Sequence, residues 1–383
     1  MLFNTYVSMQ GSGDKTVDLS AVVALERAQA AGQMVSNKDN FMLAGLYYNI
    51  QQYVAAEKSY REVLRQFPKS PYVADATTGI QYCLLAQGKD DEAVKVLDEF
   101  VRENPSSPVV EELQLKNGDL LFSQKKYSEA ADVYRGFTEK YPKSKFLANA
   151  QYALAKCYRL QGSPDEAALA FERAANTQNA TDKVKGESLF EAAEIYSLQH
   201  NSEKAILTLQ NLQGKVKDPE IIAEAKLRTG ETLRLLGKIG EANAQFEDVI
   251  KEYGDLPVAD EARIAEARGF FDSQDYDRVK AIAQKVATSR KDEIGAEAQY
   301  LLGASLAGKE DWPNVITALL KVKYIFPSYE RWVARACLGL GDAYEHLKDV
   351  RRARESYQTV LKLKTDASVV EEAQRRLKRM EQQ

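Results

Sequence analysis

The sequence predicts an all-α array of about nine antiparallel helix pairs, closed by a further helix at each end. Three sets of positions in one register predict it. A small residue recurs at Ala56, Ala93, Ala130, Ala167, Ala205, Ala242, Val279, Val315 and Ala353, in steps of 36 to 38 residues. Four residues after each comes a large apolar one (Tyr60, Leu97, Tyr134, Phe171, Leu209, Phe246, Leu319, Tyr357), with Ala283 the exception. Twelve residues before each comes Gly or Ala (Ala44, Gly118, Ala155, Ala193, Gly230, Ala267, Gly303, Gly341), with Gln81 the exception. A fixed period of this length marks a repeat protein. A spacing of four places two residues on one helix face, and small residues in two successive helices let their backbones approach.

The elements follow in order. Residues 1–16, "MLFNTYVSMQGSGDKT", lack the basic and long apolar regions of a signal peptide and read as a flexible leader. "GSGDKT" (11–16) lacks the spacing of a phosphate-binding loop. Residues 17–35 begin with the alanine-rich, amphipathic "VDLSAVVALERAQAAG" and are expected to form a helix covering the first repeat. Residues 36–365 hold nine repeats of helix A, tight turn and helix B, with "QGKDD", "QGSPD" and "LGKIG" marking turns. Between repeats stand "FPKSPYVADA", "NPSSPVVEEL" and "YPKSKFLANA", whose prolines Pro68, Pro105 and Pro142 end helix B. The slot after them holds Ser70, Ser107, Ser144, Thr181, Asp218, Asp255, Asp292, Ser328 and Asp366, all suited to cap the next helix A. Pro71, Pro108 and Pro219 then fall at the first helical position. Residues 366–383 form a closing helix A with an apolar stripe of Val370, Ala373 and Leu377. Its basic "RRLKRM" complements the helix dipole.

These spacings resemble the tetratricopeptide repeat family, over about residues 36–365. The resemblance implies a right-handed superhelical solenoid whose concave groove is lined by the A helices. The repeat here is 37 residues rather than about 34, and the extra length is expected at the start of helix A. In its length and its "YPKS" ending it resembles bacterial cell-envelope members, of the outer-membrane assembly lipoprotein and Tol–Pal coordinator type.

Composition narrows the function. The chain has 383 residues, 44% hydrophobic and 28% charged, with 52 basic and 56 acidic side chains. That balance lacks the basic field a nucleic-acid binder needs, and no apolar run is long enough to insert in a membrane. Cys83, Cys157 and Cys337 are odd in number and widely spaced, and there are only two histidines, His200 and His346. No metal, cofactor or catalytic constellation is expected. Cys83 and Cys157 read as small buried residues, and the histidines as surface or turn residues.

By register, the inner face of the A helices carries the aromatics Phe41, Tyr48, Tyr82, Phe122, Tyr152, Phe190, Phe271 and Tyr300. Glu187, Glu194, Glu224, Glu231, Glu261 and Glu297 alternate there with Lys156, Arg159, Arg234 and Arg268. Rigid aromatics beside charges suit recognition of a protein segment; ordinary helix packing with a solvated face is the plainer reading. Four of the acids, Glu187, Glu194, Glu224 and Glu231, come from two adjacent A helices and favour a basic segment unless the arginines already neutralise them. The places where the family clamps a C-terminal carboxylate hold Phe41, Gly45, Thr78 and Tyr82, which disfavours that mode.

The expected function is a non-catalytic scaffold that binds a protein or peptide, basic by preference, in a bacterial envelope or another multiprotein assembly. The alternative is a structural spacer or self-assembling array that uses edge and end contacts. Removal of a signal would place the chain in the periplasm or cell envelope; otherwise it is cytoplasmic.

Overall fold

Twenty helices make up the computed structural model, which describes residues 15–30 and 36–382 apart from 106, 108 and 364. Residues 1–14, with most of the leader and the "GSGD" of the phosphate-loop reading, lie outside the described residues, as does Pro108. Contacts divide the chain into two compact units, Met1–Val184 and Lys185–Gln383.

In the first unit, α1 (Lys15–Ala30) precedes four pairs: α2 (Asn37–Asn49) with α3 (Tyr53–Gln66), α4 (Val73–Ala86) with α5 (Asp90–Glu103), α6 (Val110–Ser123) with α7 (Tyr127–Lys140), and α8 (Leu147–Leu160) with α9 (Pro164–Asn176). Ala21, Val22 and Leu25 of α1 pack on Leu43, Leu46 and Tyr47 of α2, so the first pair is covered by apolar side chains. The second unit takes up α10 (Asp182–Leu198) and pairs it with α11 (Ser202–Lys215). It continues with α12 (Pro219–Leu235) and α13 (Ile239–Glu252), α14 (Val258–Asp272) and α15 (Tyr276–Ser289), α16 (Glu293–Gly308) and α17 (Trp312–Ile325), and α18 (Glu330–His346) and α19 (Val350–Val360). The last helix, α20 (Ala367–Glu381), buries Val369 and Ala373 against Val333, Cys337 and Tyr357. Its arginines do more than complement a dipole: Arg376 pairs with Asp342 at 3.4 Å, and Arg379 pairs with Glu345, both on α18.

The small-residue ladder is the spine of every pair. All nine rungs, from Ala56 to Ala353, are 0% exposed. The residue four later is buried in each repeat, and Tyr134, Phe246, Leu319 and Tyr357 lean on the helix A glycines Gly118, Gly230, Gly303 and Gly341. A Cβ on Gly118 would stand 2.5 Å from the Tyr134 ring, and one on Gly341 2.2 Å from Tyr357, so in these two pairs the ring fills the space a helix A side chain would need. Where helix A has Ala267, helix B answers with Ala283. Gln81, the exception among the small residues, is buried and donates from Nε2 to the carbonyl of Ala93 at 3.2 Å. Its polar head therefore ends on helix B backbone and carries no unpaired cost.

Each A–B turn places one residue in the left-handed region. These are Gln51, Gly88, Lys125, Gly162, His200, Gly237, Gln274, Glu310 and Lys348, each five residues before its rung. Around Lys125 the N–H of Lys126 donates to the carbonyl of Leu121 at 3.0 Å, and that of Lys125 to Phe122 at 2.9 Å. This is the paired closure that ends a helix on a left-handed residue. His200 is thus a turn residue.

The caps and the extra length differ between units. The A helices of the first unit run 13 or 14 residues. Those of the second run 15 to 17. The added residues lengthen helix A only in the second unit; in the first they form a connection. Ser70 and Ser144 do not cap a helix as expected. Each accepts from the backbone N–H two residues on, at 3.1 Å, inside a turn that precedes the helix. Pro71 accordingly lies ahead of α4. In the second unit Asp218 is a true cap, accepting from Glu220 N at 2.9 Å with Pro219 first in the helix, and Asp292 caps α16. Asp255 and Ser328 lie outside the cap positions, which Pro257 and Tyr329 occupy.

Candidate functional site

In the second unit the A helices α12, α14, α16 and α18 line an open groove of about 990 Å³. Its apolar part includes Phe271, Tyr300 and Trp332, one from each of three successive A helices. The Tyr300 and Trp332 rings are tilted with centroids 5.6 Å apart. Burial raises the Tyr300 phenol above its ordinary value, so it stays neutral in the groove.

Charges surround the rings, and most are paired across neighbouring A helices. Arg268 of α14 grips Glu297 of α16 with two parallel bonds, Nε to Oε1 at 2.5 Å and Nη2 to Oε2 at 2.8 Å. Its third nitrogen reaches Glu231 of α12 at 3.1 Å. Glu297 is buried, and this bidentate contact is what allows a carboxylate there. Arg234 pairs with Asp272 at 2.8 Å, and Arg290 with Asp292 and with Asp260 at 3.5 Å. Arg331 and Arg335 lie over Trp332, 5.6 and 5.2 Å from its ring, and share the carboxylate of Asp366 at 3.4 and 2.9 Å. Glu261 has no hydrogen-bond or ion-pair partner among the described residues. Burial, then the neighbouring Glu224, pushes its carboxyl above the usual range.

The first unit has a smaller hollow of about 230 Å³ between α6 and α8, lined by Phe122, Tyr152 and Lys156 among others. The Lys156 ammonium stands between the two rings, 5.2 Å from Phe122 and 5.7 Å from Tyr152. Two aromatic faces stabilise that charge.

The structure thus gathers Phe122 with Tyr152 in one unit, and Phe271 with Tyr300 in the other. Tyr48 and Tyr82 are exposed, with Tyr48 edge-on to Tyr53 at 5.4 Å. Phe41 is half-buried, stacked on Tyr72 at 4.9 Å and against Tyr60, which is a packing role. Arg159 is exposed near the end of α8. Phe190 lies under the guanidinium of Arg228 at 4.5 Å, and Arg228 also bonds Glu224 at 2.6 Å. Glu187 is half-buried and Glu194 exposed on α10. Of the four acids in the expected line, Glu224 and Glu231 therefore have arginine partners. Sequence reasoning passed over Trp332 with Arg331 and Arg335. The signal was present: it is one of two tryptophans in the chain, flanked by arginines one residue before and three after.

The remaining chemistry is sparse. Cys83, Cys157 and Cys337 are buried free thiols, and burial pushes Cys83 up to about 12 and Cys157 up to about 11. His346 is exposed and stacks on Trp312 at 3.9 Å. Among the described residues no group of His, Cys, Asp and Glu could hold a metal ion, and no helix is long and apolar enough to cross a membrane.

Sequence signatures of the tetratricopeptide repeat match residues 41–108, 84–145 and 115–182, and further ones match 224–255 and 334–366. Together they span more than half of the chain. No curated protein matches it by sequence. Among solved structures, the chain is similar to a tetratricopeptide repeat protein from Parabacteroides merdae, at 16% identity and a TM-score of 0.49 over 70% of this chain and 98% of that one. It is similar to the apo form of RapI at 14% identity and a TM-score of 0.49, over 90% and 98%. It is also similar to the APC/C hetero-tetramer Cut9–Hcn1, at 14% identity and a TM-score of 0.45, over 96% and 83%.

Proposed function

Because the chain belongs to the tetratricopeptide repeat family, we propose that it is a non-catalytic scaffold holding a protein segment against its A helices. The observation that carries this reading is the groove of the second unit, where Phe271, Tyr300 and Trp332 form one apolar strip bordered by charges. Aromatic and arginine side chains in a concave site supply the contact area and register that segment recognition uses. The hollow holding Phe122, Tyr152 and Lys156 offers a second, smaller contact of the same kind in the first unit.

A preference for basic residues opposite α14 rests on Glu261, a groove carboxylate without a hydrogen-bond or ion-pair partner among the described residues, more than on Glu224 and Glu231, which arginines already neutralise. The setting we favour is a multiprotein assembly of the bacterial envelope. It rests on the long repeat and its "YPKS" ending. One observation favours edge contacts as a second reading: Leu198, Leu235 and Leu236, at the A–B turns, are exposed.

The test places a photo-crosslinking residue at Tyr300, in the groove, or at Tyr324, exposed on α17. Crosslinks to partner segments should form from position 300 and be absent from 324. The reverse pattern would replace groove binding by the edge-and-surface reading.

A further inference from the structure

We infer that the α18 end of this groove seats the side-chain carboxylate of an acidic peptide segment on Arg331, Trp332 and Arg335, in the place Asp366 now holds. The inference rests on the groove reading above and adds the chemistry of one end of it.

The charge count at that end is uneven. Elsewhere in the groove Arg234, Arg268 and Arg290 each have acidic partners on a neighbouring element, and Arg234 keeps one enclosed Nε–H without an acceptor. Arg331 and Arg335 instead share one carboxylate, that of Asp366. Two N–H groups beside them, Arg335 Nε and Trp332 Nε1, are enclosed without any acceptor. Trp332 itself is 7% exposed. Guanidinium and indole nitrogens can only donate, so the missing partner must bring acceptor oxygens. A carboxylate has two, and its planar fork matches a guanidinium. The arginine heads lie over the indole, 5.6 and 5.2 Å from its ring, so a carboxylate bound between them would sit beside the same indole whose N–H lacks an acceptor. Tyr300, beside Trp332, gives the residue flanking that acid an apolar wall.

Asp366 behaves as a placeholder. It has the backbone of a helix cap for α20 (φ −61°, ψ 137°), yet its side chain accepts no hydrogen bond from that helix. Asp218, in the same slot four repeats earlier, does accept from its own helix. An incoming carboxylate that displaces Asp366 therefore releases it to the free N–H groups at the start of α20. The exchange substitutes one acid for another and leaves no charge stranded.

The experiment selects random displayed dodecapeptides on the immobilised full chain. Selected sequences are then made with amidated C-termini for affinity measurement. Enriched peptides should carry Asp or Glu beside an aromatic or aliphatic residue. Glu→Gln in the peptide and R331Q/R335Q in the chain should each weaken binding about tenfold. W332F keeps the ring without its donor and should weaken it severalfold, and D366N should strengthen it. Neutral or basic peptides that crosslink at Tyr300 would leave the groove reading standing and overturn the acid seat. So would acidic peptides indifferent to R331Q/R335Q and W332F, or ones that lose binding on amidation. No enrichment at all, or crosslinks only outside the groove, would overturn the groove reading as well.

Discussion

Tyr357 and Asp342 meet across the last helix pair, the phenol of α19 donating to Asp342 Oδ1 of α18 at 2.7 Å. The residue before the aspartate is Gly341, and its missing side chain is what admits the ring. The same trio recurs as Tyr134, Asp119 and Gly118, with the hydrogen bond at 2.6 Å. Glycine, acid and phenol form one interlocking unit, which predicts separable effects.

Tyr357→Phe should cost about 1 kcal/mol, the net worth of one hydrogen bond. Gly341→Ala should cost more, about 1–3 kcal/mol, because the new methyl overlaps a ring that has no room to retreat. Denaturant unfolding of both variants checks the order. Gly341→Ala as benign as Tyr357→Phe would mean that the ring is loosely held.

Alkaline pH should act through the same phenols. Burial first, then the hydrogen bond to Asp119 or Asp342, holds Tyr134 and Tyr357 protonated well above the ordinary tyrosine value. The unfolded chain releases those protons near pH ~10, so the fold binds more protons above that point. The contribution is therefore present in full below pH ~10 and is lost as pH rises further. Tyrosinate absorbance in the folded chain should show a group of late-titrating phenols that also includes Tyr47 and Tyr60, and Y134F/Y357F should reduce its amplitude by two phenols.

Arg268 is the test of the buried charges. Arg268→Ala leaves Glu297 buried without a partner and should cost about 3–5 kcal/mol. Replacing both by methionine should recover most of that loss, since it strands no charge. Thermal unfolding of the single and double variants decides. A single variant as stable as the parent would show that water reaches Glu297.

The left-handed turns make a prediction of opposite sign. Lys125→Gly should stabilise by up to about 1 kcal/mol, since glycine adopts that backbone without strain. Gly88→Ala should destabilise by about 1–2 kcal/mol. A matched pair of denaturation curves suffices, and equal midpoints would refute the turn geometry.

Ladder and end helix complete the set. Ala130→Leu should destabilise by about 1–3 kcal/mol through overpacking between α6 and α7. Deleting 366–383 should uncover Val333, Cys337 and Tyr357. Hydrogen exchange should then rise over 330–365 and stay unchanged in the first repeats, because contacts in such arrays run between neighbours. Unchanged exchange near Cys337 would show that α20 is dispensable.

The helix pairs were legible because the ladder is both periodic and completely buried, so composition at each rung is forced. The turns were only partly legible. Three of the nine left-handed positions are glycine; the other six are Gln51, Lys125, His200, Gln274, Glu310 and Lys348, whose side chains carry no turn chemistry. The caps misled because a serine that closes a turn and one that caps a helix look alike in sequence, as Ser70 and Ser144 show. Phe271 and Tyr300 could be placed in the groove by register alone. The neutralisation of Glu231 could not be read, since its partner Arg268 lies 37 residues away and also had Glu297 to choose.

Arg268 has a mechanical meaning beyond charge balance. With one guanidinium it ties α12, α14 and α16, three successive A helices, at 2.5 to 3.1 Å. A coil of stacked pairs stretches by letting neighbouring helices slide apart, and here any such slide must first pull an ion out of a snug fork. Under tension these three helices of the second unit should therefore separate later than A helices that no such ion ties.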